Sequence, residues 1–261
     1  MVKFLYTLFL FIIFSSSSLF ALFVSNPSDP ALFKTGLFFG KNKWVHVRVG
    51  YVSEYVYNSR CISIRDTEEN TYSTMLSDYG LVILNLFCRW DLYTIIGSSK
   101  MEIDDQIFPE RELAWGLGTK VLFFKTCKFD ISLDLKYRYT EQKPDYYIIE
   151  DTLVNIVYSK LQLDYEQWQA SLACSYKTGC FIPYIGLTYF DCRLSSKSGM
   201  YNLELPNIPY EWSRYYDSCV SKKNWGLVLG VTLIACDKVS FTLESRNFDQ
   251  SSINGSLQIQ F

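Results

Sequence analysis

Chemistry on a folded chain needs a histidine, a reactive thiol or a convergence of charges. This chain of 261 residues holds one histidine, eight cysteines and 25 basic against 27 acidic residues. His46 alternates with Val45 and Val47 and stands two residues from Arg48, with no hydroxyl nucleophile beside it on the same face. That describes a wall residue better than a base. No GxSxG, glycine-rich phosphate loop, CxxC pair or other metal-ligand spacing occurs, so neither an enzyme nor a cofactor or metal is expected. The charges are more informative, because Arg48, Glu54, Glu112, Lys120, Asp130, Asp134, Lys136, Arg138, Glu244 and Arg246 all fall on the polar side of stretches with a period of two.

That alternation defines the elements that hold them. Phe129, Ile131, Leu133, Leu135, Tyr137 and Tyr139 interleave with Asp130, Ser132, Asp134, Lys136 and Arg138, which is a strand apolar on one face and charged on the other. The same period recurs in 44–57, in 112–124 with Ala114, Gly116 and Gly118 on the polar side, in 163–177, and in the last residues, where Ile253, Gly255, Leu257, Ile259 and Phe261 alternate with Asn254, Ser256, Gln258 and Gln260. Residues 79–96 are apolar on both faces in places, which leaves their facing open.

A row of charges does not sit in a dry sandwich core, but it is tolerated in a lumen. Composition agrees: 49% hydrophobic, 17% aromatic and 20% charged residues, with apolar surface that must lie on strands. A strand ending flush on a terminal aromatic suits an outer-membrane barrel, with Phe261 as its assembly signal. The expectation is an all-β transmembrane antiparallel barrel of about twelve strands, within about ten to fourteen, near 33–40, 44–57, 60–66, 75–87, 91–99, 112–124, 129–140, 163–177, 181–193, 225–235, 238–248 and 253–261. Tight inner turns are placed near 58–59, 88–90, 125–128, 177–180 and 236–238, and long outer loops near 67–73, 99–111, 141–161 and 194–224, with a further strand conceivable within 153–158.

Lys3, the apolar run Phe4 to Phe14, serines and Ala21 read as a signal peptide, residues 1–21, cleaved to leave one barrel domain, 22–261. The proline-bearing stretch Ser25 to Pro30 is the one expected disordered segment. A net charge of −2 favours no nucleic acid. Outer-membrane lipid is the expected surrounding, with barrel-assembly machinery as the delivering partner.

Several blocks resemble one family, the chlamydial major outer membrane protein, a porin: SNPSDP at 25–30, RVGY at 48–51, NLFCRWDLY at 85–93, YRYTEQKP at 137–144, YEQWQASLACSY at 165–176, FIPYIGL at 181–187 and the tail from Phe241 to Phe261. The loops are much shorter than in the family, so the chain looks like a shortened or divergent member. The resemblance implies an envelope in which porins are cross-linked by disulfides to cysteine-rich periplasmic proteins. On the expected topology Cys88, Cys127, Cys180 and Cys236 lie on inner turns, with Cys61 starting a strand at the same rim, where such bonds would form. Pairing within the chain, or none, stays open.

The expected function is passive diffusion of small hydrophilic solutes or ions through a multi-pass outer-membrane barrel. The ten alternating charges and His46 would line its pore, with weak selectivity because both signs are present. The alternatives are a barrel filled by its own side chains that serves as a disulfide-anchored structural element, and an adhesin acting through its outer loops. A homo-oligomer is left open.

Overall fold

A computed structural model describes residues 23–32, 44–63, 70–103, 107–149, 152–155, 162–196, 218–236 and 238–261. Ten long strands form a closed antiparallel ring: β1 (Val45–Ser63), β2 (Asn70–Leu86), β3 (Trp90–Ile103), β5 (Glu112–Lys125), β6 (Phe129–Gln142), β9 (Leu163–Tyr176), β10 (Phe181–Ser196), β12 (Trp225–Cys236), β13 (Val239–Asn247) and β14 (Gln250–Gln260). The ring closes where β14 pairs with β1, from Arg48 opposite Gln260 to Ser59 opposite Gln250. Phe261 extends that seam by donating its N–H to the Val47 carbonyl at 3.0 Å.

Strands merge where the sequence suggests two. Residues 44–57 and 60–66 do not form separate strands: through Ser63 they belong to β1, because the turn expected at 58–59 is instead a bulge, at Tyr57 against β14 and at Tyr57–Asn58 against β2, after which pairing resumes. Cys61 therefore lies near the outer end of β1 and not at the inner rim. Segment 33–40 falls outside the described residues. The expected outer loops carry short strands of their own: β4 (Ile107–Pro109), β7 (Pro144–Ile149), β8 (Thr152–Asn155) and β11 (Ser218–Ser221). Strand β11 pairs with the tops of both β1 and β10, at Cys61–Ser63 and Arg193–Ser195. It closes the wall above β12, β13 and β14, whose outer turn is reached after only a nine-residue β13.

The outside of the ring is apolar, with Leu117, Leu133, Leu135, Leu172, Ile185, Leu187, Leu243 and Leu257 exposed. Aromatic rings gather at two heights, as a bilayer interface favours. Towards the outer end Tyr137 contacts both Trp115 and Trp168, with centroids 5.8 and 4.7 Å apart, and Tyr189 meets Trp225 at 5.3 Å. At the inner end Trp44 meets Phe87 at 5.5 Å and Phe129 meets Tyr176 at 5.0 Å. Leu133→Arg places a charge on this belt between the two girdles, and should cost about 2–4 kcal/mol. Ser132→Ala, one residue earlier and facing inward, breaks no ion pair and should cost far less; equal losses in urea unfolding from lipid vesicles would contradict this facing.

Candidate functional site: a lumen filled from both ends

Sequence periodicity decides which side chains meet inside. His46, Arg48, Glu54, Lys120, Asp130, Asp134, Lys136, Arg138, Glu244 and Arg246 all point into the barrel and are buried, Arg138, Arg246 and Asp130 completely; Glu112 is half-buried at the outer rim. The lumen expected to be wet is occupied, and the reason lies in three stacked layers.

The inner half holds the chain's own N-terminal segment. Residues 23–30, which include the stretch expected to be disordered, are buried inside the barrel and lead into the short helix α1 (Asp29–Leu32). The Glu244 carboxylate accepts from the Val24 and Ser25 amides at 2.7 and 2.9 Å. Lys136 Nζ donates to the Phe23 carbonyl, and Lys120 Nζ donates to Val24 O at 2.8 Å and to Ser25 Oγ. Arg48 Nη1 donates to Asp29 O at 2.9 Å, and Asn85 Nδ2 to Pro30 O at 3.1 Å. Ser28 Oγ lies 2.7 Å from Ser175 Oγ, and the Asn26 side-chain amide donates to Ile182 O. Asp29 faces Lys120 at 3.6 Å. A segment this polar is stable in a barrel interior because the groups it withdraws from water meet fixed partners.

This occupant explains the apolar patch that leaves 79–96 ambiguous in the sequence. Tyr79, Leu81, Ile83 and Ile95 point inward with Val52 and pack around Phe23, while Val24 packs on Ala173 and Val228. A patch of inward Leu and Ile in an otherwise polar lumen is the signal for a plug, but it reads as noise until the plug is known. The small inward residues have a related cause: a side chain at Gly118 would collide with the Tyr93 ring, and one at Gly230 with Tyr184. Those tyrosines donate to Asp134 and Glu244, each at 2.6 Å.

Above the plug, Arg138 pairs with Glu54 at 2.6 Å, donates to Gln167 and to Tyr79 Oη at 3.2 Å, and stacks over Tyr165. Arg246 pairs with Asp249 and donates to Gln169. The outermost layer is apolar, built from Val56, Met75, Met101, Ile103, Leu163, Tyr165, Phe190 and Leu194 together with Cys61, Cys192 and Cys219. Between plug and wall lies a cavity of about 30 Å³ bordered by Phe23, Ser25, Asp29, Lys120 and Lys136, room for about two waters. A larger vestibule of about 750 Å³ opens at the inner mouth, where Ala31 and Leu32 meet Arg89, Lys125, Cys127 and Lys177.

Seven of the eight cysteines divide into two sets, and Cys174, half-buried in β9, stands apart from both. Cys127 and Cys180 are exposed and Cys88 half-buried on the inner turns; Cys236 ends β12 at the same rim. Cys61, Cys192 and Cys219 are buried at the outer end, with Cys61 Sγ 3.6 Å from Cys192 Sγ. Among the described residues no group of three or more His, Cys, Asp or Glu is placed to hold a metal ion.

No protein-family model matches the chain. The major outer membrane porin, serovar D, of Chlamydia trachomatis is 20% identical over an alignment of 378 positions that covers 95% of this chain and 96% of the porin. The serovar L3 porin is 28% identical over a shorter stretch, 38% of this chain and 32% of its own. The translocator domain of autotransporter NalP from Neisseria meningitidis aligns in structure at a TM-score of 0.47 and 8% identity, over 84% of this chain and 88% of its own. An outer membrane channel from Pseudomonas putida F1 aligns at 0.43 and 8%, over 87% and 98%. An alignment of 378 positions over a chain of 261 residues leaves many positions filled by the relative alone. Along nearly its whole length, then, the chain is a divergent relative of the chlamydial major outer membrane porins, built as a multi-pass outer-membrane β-barrel.

Proposed function

We propose that this barrel is a non-enzymatic outer-membrane channel for small hydrophilic solutes or ions, closed in the state described and opened by withdrawal of residues 23–32 towards the inner mouth. The observation that carries this reading is the nature of the inner occupant. It is a chain segment, not the strands' own side chains, and it is held through groups that water can replace: the carboxylate of Glu244, the ammonium groups of Lys120 and Lys136, and Arg48. Its lower end already borders the vestibule at Ala31 and Leu32. Behind it stand charges of both signs, so an opened lumen would be wet and only weakly selective. The names of the relatives as porins support the same reading. The test is swelling of proteoliposomes in small sugars: the mature chain should be nearly impermeable and a chain lacking residues 22–32 permeable.

One observation favours a structural, non-conducting barrel instead, namely the apolar layer at the outer end. On that reading the inner-turn thiols would tie the barrel to periplasmic cysteine-rich proteins. Access should separate the two sets whichever reading holds: in intact outer membranes opened to the inner side, Cys127 and Cys180 should react with a water-soluble maleimide about tenfold or more faster than Cys192, because an enclosed thiol meets neither water nor reagent. Peptide mass spectrometry of the labelled protein measures this.

A further inference from the structure

Resting on the channel reading, we infer that the seat of the N-terminal segment is a peptide-binding site: with the segment withdrawn, the lumen takes short oligopeptides of unrelated sequence that can adopt the same turned backbone. The reason is which atoms of the segment the barrel grips. Lys136 meets the carbonyl of Phe23, and Lys120 those of Val24 and Asn26, the latter at 3.4 Å. Glu244 meets the amides of Val24 and Ser25, Arg48 the carbonyl of Asp29 and Asn85 that of Pro30. All of these are main-chain groups, which every peptide carries; their placement follows the segment's turned backbone, with Ser25 at φ 61° and Asp29 N donating to Asn26 O at 3.0 Å, so an incoming peptide must take the same turn to meet them. Fixed cations facing carbonyls and a fixed carboxylate facing consecutive amides form charge-assisted bonds that do not depend on side-chain identity.

Side-chain recognition is sparser and permissive. Phe23 enters the apolar patch of Val52, Leu81, Ile83 and Ile95, and Val24 a second one formed by Ala173 and Val228. Contacts specific to the segment are those of Asn26, Ser28, Asp29 and the Ser25 hydroxyl. Apolar side chains at the first two positions would be favoured and the rest tolerated. The segment behaves as an internal mimic of the cargo, and a peptide arriving in trans competes with it.

The experiment uses the full mature chain in lipid nanodiscs with Ser28→Cys as the reporter. Labelling of the thiol introduced by that substitution with a maleimide, read by mass spectrometry, measures how often the segment is withdrawn. A peptide that binds only the vacated seat must raise that population. Excess of short peptides, about as long as the segment and of unrelated sequence, should raise labelling of the reporter thiol about tenfold or more, whereas the same peptides with N-methylated backbones, or a malto-oligosaccharide of similar mass, should leave it unchanged. Stimulation by the native 22–32 sequence alone, or equally by N-methylated peptides, would overturn the inference. No stimulation by any peptide, beside solute flux through the chain lacking 22–32, would overturn it and leave the channel reading standing. Stimulation beside a silent deletion variant would support the peptide site and remove the channel reading.

Discussion

Tethering the N-terminal segment should silence the barrel, and releasing it should restore current. Ser28 Oγ and Ser175 Oγ are 2.7 Å apart, so Ser28→Cys with Ser175→Cys, in a background whose inner-turn cysteines are serine, places two thiols within reach of a disulfide. In planar bilayers the oxidised pair should give no stepwise conductance, and a reductant should return the open fraction to that of the untethered chain. Deletion of residues 22–32 should act in the opposite sense and raise the open fraction about tenfold or more, since the segment's bonds to the lumen contribute roughly 0.5–1.5 kcal/mol each against water. The outer apolar layer does not forbid this. It is closed on one side by β11, a four-residue strand with three paired residues on each flank, and such an element opens locally at little cost. The plug, buried and bonded along its length, is the durable barrier. A deletion variant that inserts and folds but stays silent would shift the weight to the structural reading.

Much of this architecture is legible in the sequence, for a physical reason: a period of two survives wherever one face meets lipid and the other polar groups. The strand expected at 129–140 is found at 129–142, and it is legible from Asp130, Asp134, Lys136 and Arg138 because each lies between residues of the lipid belt. Strand number reads less well. A bulge at Val56–Ser59 looks like a turn when only local residues are considered, and only the pairing of Cys61 with Thr71 across to β2 reveals continuity. That single difference moves Cys61 from one end of the barrel to the other. The plug is illegible for a deeper reason. Ser25–Pro30 lacks the period of any regular element, and the order of residues 24–30 comes from partners on β1, β2, β5 and β13 that are distant in sequence. The periodicity marks a charged lumen; it does not say that another part of the chain fills it.

Arg138 supplies the sharpest test of how that filled lumen is held. Its guanidinium is fully buried, pairs with Glu54 at 2.6 Å, and also engages Gln167, Tyr79 and the Tyr165 ring. Arg138→Met leaves the Glu54 carboxylate in a dry layer without its counter-charge, and should cost about 3–5 kcal/mol in urea unfolding from vesicles. Glu54→Gln alone leaves the guanidinium buried and should cost a comparable amount. The double variant removes both charges and should recover much of the loss, because two desolvated ions held against each other can be replaced by neutral groups of similar volume at little net cost. Strict additivity of the two losses would mean that water reaches this layer and screens each charge separately. A coupling of several kcal/mol would place the closed barrier at Arg138 and Glu54 as well as at the plug. Any opened path would then have to route solute past this pair with the salt bridge broken.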